Sequence, residues 1–69
     1  MTTKTLQPHQ LRVVDEADAL ATKIVALDGF LKGPVFRQLD VAERDRLRRQ
    51  YGLMGQYLAV LHERIAAFQ

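Results

Sequence analysis

Residues 47–68 read LRRQYGLMGQYLAVLHERIAAF, and the apolar side chains of Leu47, Tyr51, Met54, Leu58, Leu61, Ile65 and Phe68 fall at spacings of 4, 3, 4, 3, 4 and 3. A period of about 3.5 residues held this long marks a helix that buries one narrow seam against another helix. The partner lies in the first half of the chain, where Val13, Ala17, Leu20, Ile24, Leu27 and Leu31 keep the same rhythm.

The sequence around the two seams sets their limits. Pro8 suits the first helical position, where a missing N–H costs nothing, so helix one is predicted over 8–32. Its acids Asp15, Glu16 and Asp18 precede its bases Lys23 and Lys32, the order that the helix dipole favours. Gly29 marks a candidate bend. Gly33 and Pro34 stop the helix, glycine as a left-handed cap and proline by breaking the hydrogen-bond ladder. Val35, Phe36 and Leu39 fit one helical turn that closes the end of the core. Asp40 followed by Glu43 resembles a capping box, so helix two is predicted over 41–67. Two helices of similar length joined this briefly must run antiparallel. The expected fold is all-α: an antiparallel two-helix hairpin over 8–69, with a short helical turn in the connection and a flexible tail at 1–7.

A chain of 69 residues is one small domain, below the size at which a single core is comfortably stable by itself. It has no cysteine, which removes disulfides, thiolate metal sites and thiol chemistry and is compatible with a reducing cytoplasm. No apolar run approaches the length of a membrane span, and the N-terminal residues lack a signal core, so a soluble intracellular protein is expected.

Two helices can hide only one stripe each against one another, and both carry more. Val14, Ala21, Val25 and Phe30 lie off the first seam, as do Leu53, Tyr57, Val60 and Ala67 off the second. This surplus predicts a homo-oligomeric helical bundle, a dimer or tetramer with two-fold symmetry. Gly52, Gly55 and Ala59 either allow close backbone approach or simply loosen the second helix.

Enzyme signatures are missing: there is no nucleophile motif or glycine-rich phosphate loop, and His9 and His62 have no metal-site spacing. No catalytic residue, metal or cofactor is expected. The net charge of +2 is too small for a dedicated duplex nucleic-acid binder. Seven of the ten cations are arginine, and five of them, Arg37, Arg44, Arg46, Arg48 and Arg49, crowd into 34–50 beside Asp40, Glu43 and Asp45. That segment reads either as a solvated helix start, with Asp45 pairing Arg49 and Arg44 pairing Glu43 or Asp40, or as a weak anion site.

A binding reading has more to use. Gln50, Tyr57 and Arg64 recur every seventh residue, a polar line about 60° round the helix from the seam. Glu16, Lys23 and Phe30 do the same on helix one, with Arg12 a turn earlier. If both lines flank an intersubunit surface, they suit a nucleotide: Arg12, Lys23 and Arg64 for phosphate, Tyr57 and Phe36 for base stacking, Gln50 for a base edge. The same residues also fit an intersubunit ion-pair network with no ligand.

The run HQLRVVDE at 9–16, with Leu20, Lys23, Leu27, Phe30, Phe36, Leu39 and Asp40, then Gln50, Met54, Tyr57, Leu61, Arg64 and Ile65, resembles a widespread family of small bacteriophage proteins. That family is typified by a member from a crAss-like phage, and the resemblance covers residues 8–66. By analogy of size and helical build it extends to the anti-CBASS sponges, oligomers that sequester cyclic nucleotide signals without cleaving them. The resemblance thus implies a phage immune-evasion protein in the cytoplasm of an infected bacterial host. Its implied ligand is a cyclic dinucleotide at a subunit interface. The alternative is an adaptor or inhibitor whose exposed helical face grips a host protein.

Overall fold

The computed structural model describes residues 5–68 and contains three helices, α1 (Pro8–Leu31), α2 (Pro34–Gln38) and α3 (Val41–Ala66). Helices α1 and α3 pack along their length as the two arms of a hairpin, and α2 closes one end. Of the tail expected at 1–7, residues 1–4 lie outside the described residues. Residues 5–7 lead into α1, where the Oε1 of Gln10 accepts a hydrogen bond from the backbone N–H of Gln7 at 2.8 Å.

The seams fall where the heptad spacing places them. Val13, Ala17 and Leu20 of α1 are buried with Leu61 of α3, and Ile24, Met54, Leu58, Ile65 and Phe68 pack around them. The core is nevertheless thin. Val13, Ala17, Leu20, Phe36 and Leu61 are the buried hydrophobic residues among those described, and Leu61, at 0% exposure, is the only large one fully enclosed. The molecule is a rod of 54 × 17 × 16 Å. Its radius of gyration of 16.1 Å compares with about 11 Å for a compact globule of this length. Such a rod has one line of core and two long unpartnered flanks.

The connection departs from expectation in two details. Gly33 has φ −91° and ψ 170°, extended backbone that starts α2, so it is not a left-handed cap; no described glycine has positive φ. Lys32 ends α1 instead, through its N–H to the carbonyl of Asp28 at 3.3 Å. Asp40 does precede α3, but its side chain makes no cap hydrogen bond. Glu43 is drawn to Arg46 at 2.8 Å, and a carboxylate held one turn ahead cannot also reach back. The expected pairs of Asp45 with Arg49 and of Arg44 with Glu43 or Asp40 are likewise replaced, by Asp45 with Arg48 at 3.5 Å and by the Glu43 to Arg46 pair.

Helix α1 continues through Gly29, where an added Cβ would meet nothing within 4 Å; the same holds at Gly52 and Gly55 in α3. These glycines therefore do not serve close approach within the hairpin, and each exchanges helix stability for nothing inside the chain. Gly52→Ala and Gly55→Ala should each stabilise by about 1 kcal/mol, which is about 4–8 °C in Tm for a domain this small. Thermal unfolding followed by circular dichroism reads the shift directly.

Candidate functional site

The two arms are tied together near the closed end by a polar cluster that heptad spacing alone did not single out. The hydroxyl of Tyr51 donates to Oδ1 of Asp28 at 3.1 Å, and Lys32 Nζ lies 2.8 Å from Oδ2 of the same carboxylate. Tyr51 occupies a seam position, and a half-buried tyrosine needs a partner for its hydroxyl, which was the available clue. The bonds from Lys32 and then Tyr51 hold the Asp28 carboxyl below its ordinary 3.8. The bond to Asp28 raises Lys32 above its ordinary 10.5 and Tyr51 above 10.0.

Because the folded carboxyl takes up a proton less readily than the unfolded one, its contribution is whole above about 3.8 and is lost as pH falls through the depressed folded value. The Lys32 contribution runs the other way, whole below 10.5 and lost as pH rises through the raised value. Tyr51→Phe should therefore lower Tm at neutral pH and shrink the further drop between about pH 4 and pH 2, measured by thermal melts across that range.

Close by, Phe36 is buried at 5% exposure, with the Phe30 ring edge-on at 6.3 Å between centroids and the Arg48 guanidinium 5.1 Å from its centroid. Its ring is committed to closing the hairpin, so Phe36 does not stand with the exposed candidates for base stacking. Arg44 is half-buried, and its Nε is buried without a hydrogen-bond partner.

The other five candidates lie on one flank. With about 100° of rotation per residue, Gln50, Tyr57 and Arg64 sit to one side of the α3 seam, and Glu16, Lys23 and Phe30, with Arg12, sit to the corresponding side of the α1 seam. Antiparallel arms bring these like-numbered heptad positions to the same face of the hairpin. The contact of Asp28 with Tyr51, the shared burial of Leu20 with Leu61 and the heptad spacing together give the approximate register: Glu16 comes about level with Arg64, Lys23 with Tyr57, and Phe30 with Gln50.

This flank is also the more apolar one on α3. Leu53, Tyr57 and Val60 are 58%, 46% and 51% exposed and fall at helical spacing along it, at about the level of the small Ala19 and Ala26 on α1. Among the described residues Arg12, Lys23, Arg64 and Glu16 are exposed and none takes part in an ion pair. Gln50 Nε2 lies 3.8 Å from Met54 Sδ, a weak bond that leaves its carbonyl oxygen free. The face therefore combines three free cations, one free acid, a phenol and an apolar stripe. It is open: no enclosed pocket occurs among the described residues. The small residues Gly52, Gly55 and Ala59 turn toward the opposite flank.

No group of three or more His, Asp or Glu that could hold a metal ion occurs among the described residues, and no described helix is long and apolar enough to cross a membrane. Compared with known proteins, residues 7–67 match a family model described as Sequestin. No curated protein and no solved structure matches.

Proposed function

The chain belongs to the Sequestin family, and from that premise we propose that it is a phage immune-evasion protein that binds and sequesters cyclic nucleotide signals between its subunits without cleaving them. The family name supports sequestering as the activity. The observation that carries the ligand class is the single flank on which Arg12, Lys23 and Arg64 stand free of ion pairs beside the half-exposed Tyr57. Guanidinium and ammonium groups suit phosphate, and a phenol ring suits a base. The flank is flat in one copy, so enclosing a ligand calls for a second copy, and a cyclic dinucleotide shares the approximate two-fold symmetry of such an interface. On this reading the protein is no enzyme and works in the cytoplasm of the infected cell.

Isothermal titration of the purified protein against a panel of cyclic di- and trinucleotides tests the proposal. Saturable binding with the nucleotide recovered intact is the expected result; silence across the panel overturns the ligand class, and recovery of linear product overturns sequestration. The exposed stripe of Leu53, Tyr57 and Val60 also favours a second reading, in which it seats on a host protein's helix groove. A single stoichiometric partner recovered from host lysate, together with a silent panel, would select it.

A further inference from the structure

We propose that two hairpins stack flank to flank with their closed ends together, α3 of each copy lying antiparallel on the partner's α1, to form a four-helix bundle whose two-fold axis runs along the rod. The proposal deepens the intersubunit reading above, on which only its ligand layer rests.

Shape selects this pairing first. The outward knobs of α3, Leu53, Tyr57 and Val60, are large and exposed, whereas the matching side of α1 offers Ala19 and Ala26. Large side chains set against small ones interdigitate, while a stripe of knobs set against its own copy does not. Register points the same way. In this stacking each α3 residue keeps the level that it has within its own hairpin, so Leu53 meets the partner's Ala26 and Val60 the partner's Ala19. Charge is the third ground. Arg64 comes level with the partner's Glu16, an acid free in the single chain, and Gln50 with the partner's Phe30. Reversing one copy about an axis across the rod would instead set α1 on α1 and α3 on α3, with Glu16 against Phe30 and Arg64 left without an acid from the partner; the lost charge pair disfavours that assembly.

The layers of the bundle are then unequal. Two Arg64 and two Glu16 balance one another. One level nearer the closed end, two Lys23 and two Tyr57 converge with a charge of +2 and no acid. An uncompensated cation pair in a partly dried interior is costly when empty and becomes favourable around an anion. This layer is therefore where a two-fold anion is held, with Tyr57 from both copies beside it.

The chain has no cysteine, so introduced cysteines report the pairing without ligand. An equimolar mixture of Ala19→Cys and Val60→Cys chains should oxidise to a mixed disulfide dimer, in preference to either variant with itself. A mixture of Leu53→Cys and Val60→Cys that cross-links better instead selects helix α3 against α3 and overturns the proposal, as does a monomeric mass for the unmodified protein at all concentrations. Leu53→Glu should yield a monomer that keeps its helical dichroism, because the residue is 58% exposed in the single hairpin. Lys23→Met separates pairing from ligand: it should tighten the empty dimer several-fold while abolishing its response to cyclic nucleotide. A Lys23→Met dimer weaker than the parent places Lys23 outside a shared layer. Cross-linking as expected with no nucleotide response in the parent upholds the bundle and removes only the ligand layer.

Discussion

Leu61→Ala should leave the protein without a cooperative unfolding transition at 25 °C. Among the described residues Leu61 is the one large side chain with no exposure, and it joins Val13, Ala17 and Leu20 in the buried centre of the hairpin. Truncating a leucine so enclosed costs about 2–5 kcal/mol, the lost transfer energy plus the cavity left behind. A single core in a chain this short seldom supplies more than about 3–5 kcal/mol. The loss is thus comparable with the whole stability, and far-ultraviolet dichroism of the variant should show most helix gone where the parent is folded. Leu53→Ala is the matched control: the same chemical change at a residue 58% exposed should leave the hairpin's own fold intact and act on assembly. A Leu61→Ala protein that melts within a few degrees of the parent would show that the two arms are held by something other than this seam.

On the proposed function, Lys23→Ala should weaken cyclic nucleotide binding by about 10–150-fold with helicity unchanged. That factor corresponds to the roughly 1.5–3 kcal/mol of a hydrogen bond to a charged group. Lys23 lies midway along α1, exposed and outside any ion pair, so its removal breaks no ion pair within the chain. Arg37→Ala, which deletes an equally exposed cation at the closed end, should leave binding within about 2-fold and exclude a general charge effect. Calorimetry on both variants at one salt concentration decides between a specific contact and diffuse attraction, since diffuse attraction would weaken both alike.

The arms of this fold could be read from the chain because a heptad repeat constrains every third and fourth residue at once. A seam from Leu47 to Phe68 admits only one helical face, and its mate from Val13 to Leu31 fixes the antiparallel arrangement once the connection is short. The local chemistry of the connection could not be read so well. Glu43 has both Asp40 and Arg46 within reach, and Arg48 competes with Arg49 for Asp45; such choices turn on side-chain rotamers that spacing does not encode. Phe36 shows the same limit. Its apolar character announced burial, but whether its faces remained available depended on Phe30 and Arg48, which approach from different elements. The bond from Tyr51 to Asp28 was legible only as a hydroxyl in want of an acceptor. The shared flank of Lys23, Tyr57 and Arg64 followed from period alone, whereas their freedom from ion pairs is a property of the folded chain.

The best-covered side chains of the two arms, Ala17 and Leu61, lie far apart along the chain, while Ile24, Leu27, Met54 and Leu58, between them and Phe36, are only half-covered. Zipping from the connection therefore gives up chain entropy early and gathers most of its apolar contact late. A partly zipped hairpin has little to hold it, so closure is expected to behave as a latch, and removal of either outer end should release the entire rod rather than shorten it.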